Sequence, residues 1–381
     1  MRTNEKKGLM TQYPCSRGRA FVCKNIGDYV QSVASRQYID HIDEYVEQEE
    51  ADKYYPEDKK PIRLIMNGWF QWRAENWPPS GFVHPLLISM HISPLKAEQL
   101  LSPAGIEFLK KNSPVGCRDL FTQNLLEKHG IPAYFSACLT LTLGKKYKVV
   151  DAKKNGVCFV DPFFEIPPLY KEVDGQKILD EGLFNDFIQF YAENPEAINS
   201  LAERQFFKQY SPTGFIDRDN NPYRPYYKAA CFFKSYSKKF SKDLLLNAEY
   251  ITHWLDVDMS KDTNEDLLNI AESLVKKYAS SKLVITSRIH AGLPCLGVGT
   301  PVIFIADDEV TSEKGTFNVP GRLGGLLDFF RIINFEKGNF TSDDEVLKKI
   351  DIIDVSTSFE NKNNWQPYAK DLEYKCTEFM K

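Results

Sequence analysis

The sequence predicts an α/β protein with two doubly wound parallel sheets, on three observations. Strand-like and helical segments alternate about five times before residue 145. A strand, a loop, a helix and a second strand follow one another in Leu283–Ile305, which is a βαβ unit. The length of 381 residues exceeds the roughly 100–200 residues of one domain. We therefore expect domains over residues 1–145 and 146–360, and a C-terminal helix over 361–381.

The first predicted strand, Ala20–Cys23, leads through a turn into a helix. The turn carries Asn25, Gly27 and Asp28. Asp28 suits a helix N-cap, and Gly27 suits a turn that needs positive φ. Because the turn follows the carboxyl end of a strand, Asp28 also faces the edge where open α/β sheets bind ligands. Both interpretations of Asp28 stay open.

The next strand, Ile62–Met66, opens into a segment rich in tryptophan. After Asn67, the residues Trp69, Trp72 and Trp77 fall close together. Their neighbours include Gly, Pro and Asn, so we predict an irregular loop. Tryptophan rings suit the C–H faces of sugar rings, and a loop held in place by aromatic packing is an equally good interpretation.

The first half continues with a helix between two short strands. The remaining predicted elements are a strand at Pro85–Met90, a helical segment at Leu95–Lys111, strands at Val115–Cys117 and Ala133–Phe135, and a helix from Arg118-Asp119 to near Gly130. Asp119 is expected to cap the last of these helices. Arg118, at a strand's carboxyl end, is expected either to pair with Asp119 or to face a ligand.

The pattern changes past Leu143, where the second domain is expected to begin. The predicted elements are a hairpin of Tyr147–Val150 and Val157–Val160 around Asn155-Gly156, a largely helical region at Leu169–Tyr210, a strand at Ala248–Thr252 ending at His253, a helix opening at Thr263, a strand at Arg331–Phe335 and a final helix at Trp365–Phe379. The hairpin rests on the Asn-Gly turn signal alone.

The βαβ unit carries the densest chemistry of the chain. Ser287, Arg288 and His290 occupy the loop after its first strand, where a helix amino terminus already favours anions. Arg288 adds a planar cation and His290 a titratable one. After the second strand, the loop Asp307–Gly325 is dense in charge and glycine, and we expect it to be a lid or donor-binding loop.

Composition narrows the classes of protein. The net charge is −4 with acids and bases interspersed, so a nucleic-acid partner is not expected. No apolar run reaches the roughly 18 residues of a membrane span, and we expect a cytoplasmic location. The eight cysteines are scattered without a CxxC and are expected to be reduced. No His, Asp or Glu cluster has metal-ligand spacing, and no metal is expected.

One region of the second half interleaves aromatic and basic residues, Gln205–Lys242. Such a patch suits the surface of an anionic bilayer, because rings settle among the headgroups and lysines gain from anionic lipid. A solvated helix pair with an apolar inner face explains the pattern equally well. We therefore expect either peripheral membrane contact or an ordinary helical core.

Four short motifs together resemble one family. They are Asn25-x-Gly27-Asp28, Val115-Gly116-Cys117-Arg118-Asp119, Cys138-Leu139-Thr140-Leu141, and Ile285-Thr286-Ser287-Arg288-Ile289-His290 before Pro301-Val302-Ile303. Their order and their placement at strand ends are similar to the polysaccharide pyruvyl transferase family. The resemblance implies two Rossmann-like domains facing a cleft, a glycosyltransferase-B-like architecture, with the C-terminal helix crossing back to the first domain. It also implies transfer of the enolpyruvyl carbon skeleton of phosphoenolpyruvate to a sugar as a cyclic ketal.

The resemblance implies roles for particular residues. Phosphoenolpyruvate carries a carboxylate and a phosphate, so forked donors and a helix amino terminus suit it. The expected donor-binding residues are Ser287, Arg288, Arg118, His253, Lys314 and Arg322. His290 is the expected proton donor to the methylene carbon, and Asp28 the expected proton acceptor. The expected acceptor-binding residues are Asn25, Gly27, Asn67, Trp69, Trp72 and Trp77.

The expected partners are phosphoenolpyruvate as co-substrate, with no cofactor, and a sugar acceptor on a lipid-linked oligosaccharide. Many family members have a run of glycines where this chain has Asn67-Gly68-Trp69-Phe70, which bears on the acceptor and on the reaction. Two alternatives stay open. A glycosyltransferase of the same architecture would take a sugar nucleotide in the second-domain cleft. A non-catalytic carbohydrate-binding protein would need the tryptophans but neither Arg288 nor His290.

Overall fold

The computed structural model describes residues 5–12, 21–70, 72–149, 154–211, 216–219, 221–258, 260–307 and 321–381. The described strands are β1 Lys6–Thr11, β2 Phe21–Asn25, β3 Glu44–Glu47, β4 Ile62–Phe70, β5 Val83–Ile92, β6 Val115–Cys117, β7 Ala133–Phe135, β8 Val157–Val160, β9 Tyr170–Val173, β10 Gln176–Leu179, β11 Glu249–Ile251, β12 Trp254–Asp258, β13 Leu283–Thr286, β14 Val302–Asp307, β15 Arg331–Glu336 and β16 Asn339–Thr341.

The helices lie between these strands. The described α-helices are α1 Gly27–Arg36, α2 Ala97–Leu100, α3 Pro103–Lys111, α4 Leu120–Lys128, α5 Gly144–Tyr147, α6 Glu181–Glu193, α7 Pro195–Ala202, α8 Gln205–Gln209, α9 Arg224–Tyr236, α10 Lys242–Asn247, α11 Asn264–Ser280, α12 Ile289–Val298 and α13 Gln366–Met380. Short 3-10 helices are Gln48–Lys53, Ala74–Asn76, Pro94–Lys96, Leu139–Leu143, Leu327–Phe329 and Leu347–Lys349.

Two six-stranded sheets form the framework, which confirms the predicted α/β class. The first sheet has the order β3-β1-β4-β5-β6-β7, and the pairs within it are parallel. The second has the order β11-β8-β13-β14-β15-β16, parallel except for the antiparallel pair of β15 and β16. The carboxyl ends of the parallel strands in each sheet therefore share an edge, where loops can meet a ligand. The domain boundaries near residues 145 and 360 stay predictions.

The first predicted strand belongs to neither large sheet. β2 pairs antiparallel with β12, joining Asn25 in register with Trp254, and so links the two halves of the chain. In the first sheet, β1 lies between β3 and β4 instead. The sequence prediction missed β1 because Lys6 and Lys7 make its start look polar. The β2–β12 ribbon has a direct consequence for function, since it brings the turn before α1 beside His253.

The tryptophan segment begins as a strand, and the predicted loop is wrong up to Phe70. β4 continues beyond Met66 because it keeps pairing with β5, with Trp69 opposite His91 and Phe70 opposite Ile92. The strand is largely buried along its length, as expected for a central strand of a parallel sheet. Pairing between strands here outweighs the local Asn-Gly signal.

In the second half one prediction is wrong and another, the largely helical region, holds from α6 onward but not at its start. The hairpin around Asn155-Gly156 does not form, because β8 pairs in parallel with β11 and β13, and Tyr147 ends α5. The region Leu169–Tyr210 is not helical at its start. β9 and β10 form a hairpin there before α6 begins.

Most described aromatic side chains of the region Gln205–Lys242 pack into the core. Phe207, Phe232 and Phe240 are fully buried in one hydrophobic cluster, and Lys228 is buried in an ion pair with Asp217 at 2.8 Å. These buried rings cannot settle among lipid headgroups, whereas Tyr223 is 73 % exposed. Peripheral membrane contact stays a prediction. No helix in the described ranges is long and apolar enough to cross a membrane.

The C-terminal helix packs against the first sheet, as the architecture implied. Leu372 and Cys376 on α13 share a hydrophobic cluster with Leu9 and Ile65 of β1 and β4. Arg63 Nη1 donates a 3.1 Å hydrogen bond to a carbonyl in α13, that of Phe379. These contacts join the end of the chain to its first half.

Candidate active site

The site is built where the turn before α1 meets the start of α12. A Cβ atom on Gly27 would lie 2.9 Å from His253 Nδ1 and 3.2 Å from His290 Cβ, so only glycine allows this approach. Asn25 Oδ1 accepts a 3.1 Å hydrogen bond from the Gly27 amide. The backbone amide of Ile26 donates to the His253 carbonyl at 2.8 Å. The structure thus brings Asn25, Gly27, His253 and His290 together.

Arg288 is held in place from several directions. Its Nε donates to Asp161 Oδ2 at 3.1 Å, and its guanidinium lies 5.4 Å from the centre of the Trp254 ring. Its backbone amide donates to Thr286 Oγ1 at 2.9 Å. Asp161, just past β8, was missed by sequence reasoning. A single carboxylate after a buried strand was the signal available for it.

Both the backbone amide and the ring of His253 are hydrogen-bonded. Its amide donates to Asp161 Oδ2 at 2.9 Å, and its Nε2 lies 2.7 Å from the Tyr278 hydroxyl. Burial lowers the pKa of His253 to about 4, with Asp161 opposing and Arg288 reinforcing the shift. His253 is therefore neutral at physiological pH and forms a wall of the site beside Arg288.

Arg118 enters from the first sheet and has open hydrogen-bonding capacity. Its side chain is 1 % exposed, and its Nε and Nη2 have no hydrogen-bond partner in the described structure. The carboxylate of Asp119 lies 3.9 Å from Nε, beyond hydrogen-bond range. Asp119 caps α4, accepting from the Thr122 amide at 2.9 Å, which confirms that prediction. Arg118 therefore has donors available for a ligand.

Arg322 reaches the same place from the segment after β14. That segment packs on α4, because the Leu120 amide donates to the Gly324 carbonyl at 3.1 Å. Burial, Arg118 and Arg288 lower the pKa of Arg322 to about 10, with Asp28 and Asp119 opposing. Its Nε atom is buried without a partner in the described ranges. Lys314 lies outside the described residues.

His290 lies where these cations converge. Burial and the charges of Arg118, Arg322, His253 and Arg288 lower its pKa well below the usual value. Its Nε2 is buried and has no partner within the described part of the chain. His290 is therefore neutral near pH 7, and it can donate a proton there only when an anion offsets the arginines.

Asp28 lies in the first turn of α1 but does not cap it. Ile26 is the N-cap and makes no side-chain capping bond, so the capping interpretation of Asp28 is wrong. Its Oδ2 lies 3.8 Å from Lys24 Nζ, and its charge raises the pKa of Arg322. Asp28 is thus the carboxylate on the α1 side of the arginines.

Two other predicted residues have bonds that serve the framework. Ser287 Oγ donates to the Ile305 carbonyl at 2.7 Å and accepts from the Phe163 amide at 2.9 Å. Asn67 Oδ1 accepts from Ser35 Oγ at 2.6 Å, and Asn67 Nδ2 donates to the Gln31 carbonyl at 3.1 Å. These side chains fasten strand ends and α1.

The three predicted tryptophans have different surroundings. Trp77 is 8 % exposed and packs edge-to-face on Phe70 and Phe108. Trp72 is 68 % exposed and lies edge-on to Trp69, with ring centres 4.5 Å apart. Trp77 is core, whereas Trp72 is exposed and packs on the partly buried Trp69.

The arrangement of arginines around His290 suits a small anion. Arginines from both halves surround His290, and buried donors without partners incur a large free-energy cost unless a ligand binds them. No group of three or more His, Cys, Asp or Glu residues in the described ranges is placed to hold a metal ion.

Two predominantly parallel sheets, with arginines from both halves around a buried histidine, form a candidate site that suits an anion. The polysaccharide pyruvyl transferase family profile matches residues 25–309, more than half of the chain. The chain belongs to that family and is a transferase. A comparison with individual curated proteins gives no match.

Proposed function

We propose that this protein transfers the enolpyruvyl carbon skeleton of phosphoenolpyruvate to a sugar, forming a cyclic pyruvate ketal. The observation that carries the proposal is the set of buried nitrogen atoms on Arg118, Arg322 and His290 without partners in the described chain. Phosphoenolpyruvate has a phosphate and a carboxylate, and arginine forks match both groups. Phosphoenolpyruvate would supply hydrogen-bond partners for these buried nitrogen atoms.

The donor itself would prepare the acid. The charges of Arg118, Arg322 and Arg288 hold His290 neutral in the empty site, and the negative charges of phosphoenolpyruvate offset them. The pKa of His290 then rises, and the imidazolium donates a proton to the methylene carbon. An acid charged by its own substrate would not be protonated without the donor.

The acceptor would enter from the α1 side. Asp28 accepts a proton from an acceptor hydroxyl, and Asn25 with Gly27 shapes the turn against which the sugar lies. Trp72, which packs on the partly buried Trp69, offers an exposed aromatic ring for a sugar. Glu49 holds this pair in place, accepting from the Trp72 amide at 3.1 Å. We propose a lipid-linked oligosaccharide as the acceptor and a cytoplasmic location where such precursors are built.

The experiment is an incubation of the protein with phosphoenolpyruvate and a panel of p-nitrophenyl hexopyranosides and lipid-linked glycans, read by mass. The expected product has gained one pyruvic acid less one water, with one phosphate released. Arg118→Met should abolish the product. Arg218→Met is the matched control, because Arg218 is exposed in a pair with Asp256. Transfer of a sugar from a nucleotide sugar instead would overturn the proposal and favour the glycosyltransferase alternative.

A further inference from the structure

A second histidine lies beside the arginines, on the first sheet. His91 is fully buried near the carboxyl end of β5, and its Nδ1 lies 2.6 Å from Asp119 Oδ2. Its Nε2 is buried with no partner among the described residues. The framework accounts for one ring nitrogen and leaves the other open.

The partner of Nδ1 fixes the state of the ring. Asp119 uses Oδ1 to accept from the Thr122 amide and hydroxyl, both at 2.9 Å. Its Oδ2 remains to accept the Nδ1 proton of His91. The neutral ring then carries its proton on Nδ1 and a lone pair on Nε2. A histidine held in this way is a base whose protonated form the carboxylate stabilises.

The charged groups around His91 are those of the candidate active site. Burial lowers the pKa of His91 to about 4; Asp119 opposes this shift, and Arg118 and Arg322 reinforce it. Arg118 Nε lies 3.9 Å from the same Asp119 oxygen that His91 contacts. His91, Asp119, Arg118 and Arg322 therefore belong to one charged cluster.

We infer that His91 is a catalytic residue that carries a proton from the acceptor hydroxyl to the departing phosphate, with Asp119 as its positioning residue. The inference rests on the proposed function. His290 protonates C3 of phosphoenolpyruvate, and the first hydroxyl bonds to C2 as His91 Nε2 takes its proton. The C2–O bond to phosphate then breaks, and the oxygen leaves with the bonding electrons and the proton from His91.

The remaining step restores the starting state. A second hydroxyl bonds to C2, and Asp28 takes its proton and releases it to solvent, while His290 takes a proton from solvent to replace the one it gave to C3. Two protons leave the acceptor, one ends on carbon and one on phosphate. No oxidant, reductant or metal takes part in this count. Ketal formation needs two proton acceptors, and the proposal gives these roles to His91 and Asp28.

The test compares His91→Gln and Asp119→Asn with wild type and with His129→Gln, a control at an exposed histidine. His91→Gln should lower kcat for transfer to the best hexopyranoside of the panel by roughly 10²–10⁴-fold, with the Kd for phosphoenolpyruvate within about threefold. Asp119→Asn keeps the cap of α4 but offers an N–H to Nδ1, which moves the ring proton to Nε2. It should lower kcat without changing the Kd.

A second readout needs no acceptor. Nitrogen-15 correlation spectra of the histidine rings at pH 7 should show, among the rings protonated on Nδ1, one neutral ring that is absent in His91→Gln and switched to Nε2–H in Asp119→Asn. A near-normal kcat in His91→Gln, or an Nε2–H ring at His91 in wild type, would overturn the inference. A proportional loss of donor affinity would also overturn it, since His91 would then only bind phosphate. If wild type neither binds phosphoenolpyruvate nor transfers from it, the proposed function itself fails.

Discussion

The junctions β6–α4 and β13–α12 each place an arginine at the carboxyl end of a strand, but in opposite states. Arg288, after β13, is bonded to Asp161 and lies over Trp254. Arg118, after β6, keeps Nε and Nη2 unpaired within the described structure. Arginine thus has its side chain held by protein contacts at one sheet, whereas at the other it keeps donors that no described protein group uses. Buried hydrogen-bond donors without protein partners therefore indicate a ligand-binding site more specifically than positive charge does.

The largest expected effect concerns the acid that lies between these junctions. His290→Gln keeps size and hydrogen bonding but cannot deliver a proton near neutral pH, so kcat should fall by roughly 10²–10⁴-fold with little change in donor binding. In wild type, phosphoenolpyruvate should raise the lowered pKa of His290, so its binding should be accompanied by proton uptake. Calorimetry in buffers of different ionisation enthalpy measures that uptake. A His290→Gln variant with equal uptake and normal kcat would remove His290 from the mechanism.

The two arginines should respond oppositely to the same substitution. Arg118→Met removes a buried charge without a bonded partner, so the empty protein should gain roughly 1–3 kcal/mol of unfolding free energy. It should also lose phosphoenolpyruvate affinity by roughly 30-fold or more. Arg288→Met strips Asp161 of a partner, and the empty protein should lose roughly 1–3 kcal/mol. Denaturant melts with and without phosphoenolpyruvate measure both, and equal stability changes would contradict the contrast.

Acid should destabilise the empty protein through its buried histidines. The pKa values of His91 and His253 are lowered to about 4 in the folded state, against about 6.5 in the unfolded chain. The unfolded state therefore binds more protons between these values. Their contribution is complete above about pH 6.5 and falls as the pH drops toward 4. Denaturant melts over this range should show the slope, reduced in His91→Gln. A flat profile would show that these histidines do not resist protonation.

Trp77 and Trp72 give a smaller contrast of the same kind, between a buried side chain and an exposed one. Trp77→Ala empties a core position and should cost roughly 3–5 kcal/mol of unfolding free energy. Trp72→Ala should leave stability nearly unchanged and raise the acceptor KM by roughly two- to tenfold, the value of one lost ring contact. A changed donor KM in Trp72→Ala would place the pair outside the acceptor site.

Much of the second sheet could be predicted from the sequence, because its signals are local. The βαβ unit at β13–α12–β14 formed as predicted, and Thr263 caps α11 through a reciprocal bond with Asp266. β2 was recognisable as a strand, but its partner β12 lies more than two hundred residues away. The choice of partner depends on tertiary packing, which local periodicity does not record.

The arginines of the site could be predicted from the sequence, but the hydrogen-bond partners of its side chains could not. Arg118 and Arg288 follow strands, so the sheet edge could be inferred from order alone. His91 also ends a strand, but as a lone histidine it gave no chemical signal before Asp119 was placed 2.6 Å away. Asp161 likewise gains meaning only from its bonds to Arg288 and His253. The order of residues along the chain does not show which groups distant in sequence form hydrogen bonds in the fold.

The central claim is that the buried arginines around His290 bind phosphoenolpyruvate. Calorimetric titration of the protein with phosphoenolpyruvate and, separately, with uridine and guanosine diphosphate sugars tests it most directly. The account predicts saturable binding of phosphoenolpyruvate that Arg118→Met weakens and Arg218→Met leaves unchanged, with no comparable binding of the nucleotide sugars. Saturable binding of a nucleotide sugar, with phosphoenolpyruvate inert at the same concentration, would contradict it.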